Sequence, residues 1–64
     1  MSLESIRAHL ETVREEIATA AYDELRRAVD EGETKRPDLE KRLTRARGAV
    51  ERALAALGES DEDA

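Results

Sequence analysis

Apolar residues recur along the first half of the chain at alternating steps of three and four. The members of this stripe are Leu3, Ile6, Leu10, Val13, Ile17 and Ala20. Because an α-helix completes one turn in 3.6 residues, this spacing places all six side chains along one side of a helix. Beyond Ile17 the pattern changes phase towards Ala21 and Leu25, so the stripe drifts around the helix without ending.

Signals at both ends set the limits of this first helix. Ser2 is a residue type that caps helix N-termini, and Glu4 places a negative charge in the first turn, where the helix dipole favours it. Gly32 is a natural C-terminal cap because glycine adopts the left-handed conformation without a steric cost. The pattern therefore predicts a helix over about residues 3–31.

A second stripe follows a short polar segment. Pro37 fits the first turn of a helix, since its missing N–H would have no helical partner there. The apolar positions that follow are Leu39, Leu43, Ala46, Val50, Ala53 and Leu57. Gly58 supplies a stop, which predicts a second helix over about residues 37–57 within a hairpin domain spanning 1–58. The acidic residues 59–64 are predicted to form a disordered tail.

The short connection between the two helices favours antiparallel packing, so the predicted fold class is all-α, a two-helix antiparallel hairpin. The first helix is the longer of the two. If the helices pair outward from the turn, Leu57 falls opposite roughly Thr12. The N-terminal stripe residues that would then project past the second helix are Leu3, Ile6 and Leu10.

Composition favours a partner subunit. A chain of 64 residues with no cysteine and one histidine has neither disulfides nor an evident metal site to support its small core. A second hairpin would bury the N-terminal stripe and the apolar run Ala53–Leu57 together, which predicts a homodimeric four-helix bundle. The predicted self-association residues are Leu3, Ile6, Leu10, Val13, Leu54 and Leu57. A higher oligomer, a heteromeric partner and a monomer are the alternatives.

Charge changes sign along the chain. The net charge is -5, yet residues 35–52 form a basic segment between acidic flanks. The outward-pointing bases of the second helix, which we name the basic strip, are predicted to be Lys41, Arg45 and Arg52. Two such strips in a bundle could bind a nucleic-acid backbone. The alternative, favoured by the negative net charge and the lack of aromatic residues in this segment, is a solvated strip with Arg42 and Arg47 paired to acids of the first helix.

No group of residues predicts catalysis, a metal or a cofactor. His9 is the only imidazole, and the positions three and four residues away carry Ser, Ile, Thr and Val, which offer no second metal ligand of suitable softness. Adjacent acids such as Glu15 and Glu16 point about 100° apart on a helix and are predicted to be solvated. The longest apolar run is far shorter than the roughly 20 residues that span a bilayer, so a cytoplasmic protein is predicted.

The composition resembles that of small acidic proteins from salt-loving archaea. The chain has sixteen acidic residues, eleven alanines and nine arginines but only two lysines. This resemblance implies that hydrated surface carboxylates keep the protein in solution at high salt. An acidic protein from a GC-rich bacterium would have a similar composition.

A series of residues around the turn resembles the small subunit of exonuclease VII. It comprises Glu24-Leu25, Gly32-Glu33, Pro37, Leu39-Glu40 and Gly48. That family is also a short acidic helical hairpin with a Gly-Glu turn followed by Pro and Leu-Glu, although the turn here is longer and the later glycine is displaced by about one position. The resemblance implies an accessory subunit without catalytic residues.

The leading hypothesis for function is a non-catalytic structural or interaction protein, a self-associating hairpin that docks a larger partner. Nucleic-acid binding through the basic strip is the first alternative. An accessory role like that of the exonuclease VII small subunit is the second.

Overall fold

Two α-helices joined by a seven-residue link make up the computed structural model of the chain, which describes residues 2–58. Helix α1 spans Leu3–Asp30 and helix α2 spans Asp38–Gly58. The predicted all-helical hairpin is confirmed, since the two helices pack against each other and no strand occurs in the described range. The predicted disorder of residues 59–64 lies outside the described residues.

Ser2 caps the N-terminus of α1, as its residue type predicts. Its backbone is extended, and its Oγ accepts a hydrogen bond from the Ser5 amide at 3.0 Å. Its carbonyl accepts the first helical hydrogen bond, from the Ile6 amide at 3.0 Å. The cap thus provides a partner for one of the amides that every helix start leaves unpaired.

Gly32 ends α1 in the predicted manner. Its φ of +77° is in the left-handed region, which a residue with a side chain rarely adopts. The Gly32 amide donates to the Val29 carbonyl at 3.0 Å, and the Glu33 amide donates to the Ala28 carbonyl at 2.9 Å. These two bonds form a Schellman motif, which pairs the last helical carbonyls and turns the chain back towards α1.

Arg27 ties the link to the last turns of α1. Its guanidinium donates to Glu24 at 2.7 and 3.1 Å, to Glu31 at 2.7 Å and to Glu33 at 3.4 Å. The hydrogen bond to Glu24 is the largest cause that raises the pKa of Arg27 above its ordinary value. A fixed positive charge near the C-terminus of α1 also complements the helix dipole.

Pro37 immediately precedes α2. Its carbonyl accepts a hydrogen bond from the Lys41 amide at 3.2 Å, so it occupies the N-cap position rather than the predicted first turn. Asp38 and Glu40 then place two acids in the first turn of α2, where the dipole favours negative charge.

The end of α2 lies beside the start of α1, which makes the helices antiparallel. Arg7 Nη2 is 3.3 Å from the position that a Cβ on Gly58 would occupy. The predicted pairing of Leu57 with roughly Thr12 stays a prediction.

The core between the two helices is very small. Ala21 and Ala28 are the buried apolar residues of the described range, with Ala28 only 3% exposed. No large side chain within residues 2–58 is fully buried. The shortest dimension of the molecule is 13 Å, close to the roughly 10–12 Å diameter of one helix with its side chains. The hairpin is thus a single layer of helices.

Gly48 lies inside α2 without a conformational need for glycine. Gly32, not Gly48, has the positive φ, and a Cβ on Gly48 would meet its nearest neighbour, Arg52 Nη1, at an ordinary 3.6 Å. Since interior glycine costs a helix about 0.5–1 kcal/mol relative to alanine, Gly48→Ala should raise the thermal unfolding midpoint by about 3–6 °C in circular dichroism. Gly32→Ala is the matched control and should lower it. A lower midpoint for Gly48→Ala would show that another helix approaches Gly48 closely.

Candidate interaction surface

The apolar stripes do not coincide with the sides of the helices that cover each other. On α1 the exposed stripe residues Ile6 and Ala20 lie to one side of the buried Ala21 and Ala28. At about 100° per residue, the centre of the stripe lies roughly 40° from the centre of the covered side on α1 and roughly 80° on α2. Each stripe therefore points only partly at the other helix of the same chain.

Both stripes turn towards the same face of the hairpin. Viewed along the helix axis from the N-terminus, successive residues of an α-helix advance clockwise. Viewed from the C-terminus, they advance anticlockwise. When angles are counted along increasing residue number, the stripe of each helix is rotated in the same sense away from the side that the other helix covers. In an antiparallel pair, displacements in the same angular sense lead to one shared face, so the hairpin has a continuous apolar surface on one side.

This surface, which we name the apolar face, contains residues of both helices. Its members are Ile6, Val13 and Ala20 of α1, and Leu39, Ala46, Val50, Ala53 and Leu57 of α2. Leu39 is 44% exposed. Leu3 is 51% exposed and extends the surface at the start of α1. Large exposed apolar side chains thus lie at both ends of this face, Leu3 and Ile6 at the start of α1 and Leu39 at the start of α2, with alanines and half-buried residues between them.

The six residues predicted to mediate self-association occupy three kinds of position. Leu3 and Ile6 are exposed near the N-terminus of α1. Val13 and Leu57 are half-buried on the apolar face, while Leu10 and Leu54 are half-buried on the covered sides of their helices. Leu39, Ala46 and Ala53 were not among the predicted residues. The angle by which each stripe turns away from the other helix of the chain depends on how α1 and α2 pack. Self-association through these residues stays a prediction.

A second, smaller apolar patch lies on the opposite face near the link. Tyr22, Leu25 and Val29 are all exposed there, with Val29 71% exposed. The guanidinium carbon of Arg26 lies 6.0 Å from the centre of the Tyr22 ring, within the range of a cation–π interaction. The patch is the structural result of the phase change after Ile17.

Glu40 is the buried charged residue of the described range, only 4% exposed, and its burial was not predicted from the sequence. Arg36 donates to its carboxylate through Nε and Nη2, the latter at 3.2 Å, and Thr44 Oγ1 donates at 2.8 Å. The Arg36 hydrogen bond, followed by the Thr44 bond, lowers the pKa of Glu40 and outweighs the opposing effect of burial. The sequence pattern that could have indicated this network is Arg36 four residues before Glu40 and Thr44 four residues after it.

The basic strip is exposed along its whole length. Lys41, Arg45 and Arg52 all lie on the side of α2 that points away from α1, and Lys41 Nζ is 3.9 Å from the Asp38 carboxylate. The alternative in which Arg42 and Arg47 pair with acids of α1 is wrong for the described residues. Arg47 lies 3.9 Å from Glu51 of its own helix, and no carboxylate of residues 2–58 lies within 4.0 Å of Arg42. Nucleic-acid binding by the strip stays a prediction.

His9 borders a shallow depression with Ser5, Ile6 and Leu10 on α1. Across residues 2–58, no three histidine or acidic side chains are placed to hold a metal ion. Neither described helix is long and apolar enough to cross a membrane.

No family model, curated protein or solved structure matches this chain. The resemblances to acidic proteins of salt-loving archaea and to the small subunit of exonuclease VII stay predictions. Function must therefore be inferred from the surfaces of the hairpin.

Proposed function

We propose that this chain is a non-catalytic interaction protein. Its hairpins self-associate through the apolar face into a homodimeric four-helix bundle, and the bundle docks a larger partner. The observation that supports this most is the single layer of helices, which leaves the apolar stripes of α1 and α2 on one exposed face.

This hairpin consists of one layer of helices and lacks a second layer to pack against. Folded domains are built from at least two packed layers that enclose a hydrophobic core. In the described range only Ala21 and Ala28 are buried apolar residues, while Leu3 and Leu39 are about half exposed. Burying apolar surface contributes roughly 25 cal/mol per Å², so covering this face with a second copy would supply the missing core.

The size of the apolar face matches a stable dimer. The 21 residues of α2 give a paired length of about 30 Å, and two helix diameters give a width of about 20 Å. The face therefore offers roughly 600 Å² per copy, and the start of α1 extends it towards the roughly 800 Å² that standard interfaces bury on each partner. The patch of Tyr22, Leu25 and Val29 lies on the opposite face, where it stays available to a larger partner.

Two alanines of α2 provide the test. Ala53 lies on the apolar face and Ala55 lies on the other side of the same helix, and both are exposed. Ala53→Arg should place a charge inside the bundle and weaken the dimer by roughly 100-fold or more. Ala55→Arg adds the same charge and the same helix propensity outside it and should leave the dimer intact.

The measurement is sedimentation equilibrium with circular dichroism at matched concentrations. The wild-type chain and Ala55→Arg should have twice the 7.1 kDa mass of one chain, and Ala53→Arg should move towards the mass of one chain. A wild-type chain that stays a fully helical 7.1 kDa species at millimolar concentration would overturn the proposal. Equal dimer stability in the two arginine variants would show that another surface mediates association.

A further inference from the structure

We infer that the bundle has a specific topology, in which α1 of each copy packs against α2 of the partner subunit and the two-fold axis runs parallel to the helices. This inference rests on the proposed self-association through the apolar face. It specifies which helices contact each other across the interface and which charged residues favour that arrangement.

Two symmetric arrangements can stack two hairpins by their apolar faces. If the two-fold axis runs parallel to the helices, α1 faces α2 of the partner subunit, and every neighbouring pair is antiparallel. If the axis runs across the helices, α1 faces α1 of the partner subunit and α2 faces α2. Apolar burial is similar in both, so the charges that border the face distinguish them.

The two outer borders of the apolar face carry opposite charge. The acidic edge, formed by Glu16 and Asp23 of α1, is exposed and lines one continuous surface with Ala20. The basic edge, formed by Arg42 and Arg45 of α2, is likewise exposed. An arrangement with α1 against α2 brings the acidic edge to the basic edge on both sides of the bundle.

The levels of these residues along the bundle are compatible with this arrangement. The Arg7 guanidinium lies against Gly58, and an arginine side chain spans more than one helical turn, so residues of α1 and α2 at the same level have numbers that add up to between about 61 and about 69. An axis parallel to the helices preserves these levels between the two copies. Asp23 then lies within about one turn of Arg42 of the partner subunit, and Glu16 lies within about two turns of Arg45 of the partner subunit. Opposite charges thus line the same border of the bundle.

The other arrangement opposes like charges. It sets the acidic edges of the two copies against each other and does the same with the basic edges. Like charges brought together across an interface oppose association, whereas complementary charges determine orientation and partner choice. The axis parallel to the helices also gathers the exposed Leu3 side chains of both copies at one end of the bundle.

Charge-reversal variants test the topology, because weaker and stronger dimerisation lead to opposite conclusions. Glu16→Arg with Asp23→Arg makes both edges basic and should weaken the dimer by roughly 10-fold or more at low ionic strength. Adding Arg42→Glu and Arg45→Glu to the same chain restores opposite edges and should return the dissociation constant to within about three-fold of wild type. Both differences should shrink in 1 M salt because surface charges are screened there.

Net charge provides an internal control for this experiment. Each acid-to-arginine reversal adds two charges, so the double variant moves from -5 to -1, and the fourfold variant returns to -5. Lower net repulsion would by itself strengthen association of the double variant, which is opposite to our expectation. An unchanged or tighter dimer in the double variant overturns the topology but leaves the proposed self-association intact. A monomeric wild-type chain overturns both.

Cross-linking gives a readout that does not depend on charge. Ala20 and Ala46 are exposed on the apolar face, and the contact of the Arg7 guanidinium with Gly58 places them within about one turn of the same level. The chain has no cysteine, so A20C and A46C each introduce a single thiol. With a short bis-maleimide reagent, a mixture of the two variants should form covalent dimers efficiently, and either variant alone should form few. Efficient cross-linking of A20C with itself would overturn the topology.

Discussion

Replacing Ala28 with leucine should lower the thermal unfolding midpoint of the hairpin by about 5–15 °C. Ala28 is 3% exposed and lies two helical turns from the other buried alanine, Ala21, where α1 and α2 approach each other. Three added carbons have no space there, and overpacking of this kind costs about 1–3 kcal/mol. In a domain this small, each kcal/mol shifts the midpoint by about 4–8 °C.

Ala8→Leu is the matched control for this change. Ala8 lies in the same helix but is exposed on the side away from α2 and from the apolar face, so the substitution should change stability by less than about 0.5 kcal/mol. Leucine is a strong helix former at both positions, which excludes helix propensity as the cause of a difference. Both midpoints should be compared at one chain concentration, because association stabilises the folded state. An unchanged midpoint for Ala28→Leu would contradict close packing at this point.

Glu40→Gln should lower the unfolding midpoint by about 5 °C or more at pH 7, and the difference from wild type should disappear in acid. Glu40 is buried and accepts hydrogen bonds from Arg36 and Thr44, which lower its pKa in the folded chain. Glutamine keeps the shape of the side chain but loses the charge that these two donors stabilise.

The sign of the pH dependence follows from the direction of the pKa shift. A carboxyl whose pKa is lowered by folding contributes stability above its ordinary value, here 4.5, and that contribution is lost as the pH falls through the folded pKa. Wild type and Glu40→Gln should therefore differ most at neutral pH and converge as the pH falls below 4.5 and through the folded pKa. Thermal scans at half-unit intervals measure this directly.

Glu51→Gln controls for the loss of one negative charge from α2. Glu51 is exposed, and its nearest cation is Arg47 at 3.9 Å, so the substitution should change stability by less than about 0.5 kcal/mol at every pH. If Glu40→Gln differs from wild type by the same amount at pH 7 and pH 3, the ionised form of Glu40 is not what the fold stabilises. A loss of stability as small as that of Glu51→Gln would lead to the same conclusion.

Local features of the hairpin could be predicted from the sequence because they depend on contacts between near neighbours. The Ser2 cap and the Gly32 motif each involve hydrogen bonds within five residues. The apolar periodicity indicates two helices for the same reason, since each helical hydrogen bond joins residues four apart. Pro37 differs from its predicted place by a single position at the helix boundary.

The rotation of the helices about their own axes could not be predicted in this way. The stripes show which side of each helix is apolar, but the packing of α1 against α2 determined that they share one exposed face. The burial of Glu40 with its donors Arg36 and Thr44 likewise had no signal in the apolar periodicity.

By itself, the sequence determined that this chain forms two amphipathic helices with a turn at Gly32, because helix periodicity and glycine conformation are local properties. The tertiary structure alone determined where the apolar surface and the charged edges lie, because both depend on the angle at which one helix meets the other. Ala21 and Ala28 are the buried apolar residues of the described range, and the apolar stripes turn partly outward onto the face from which we infer self-association.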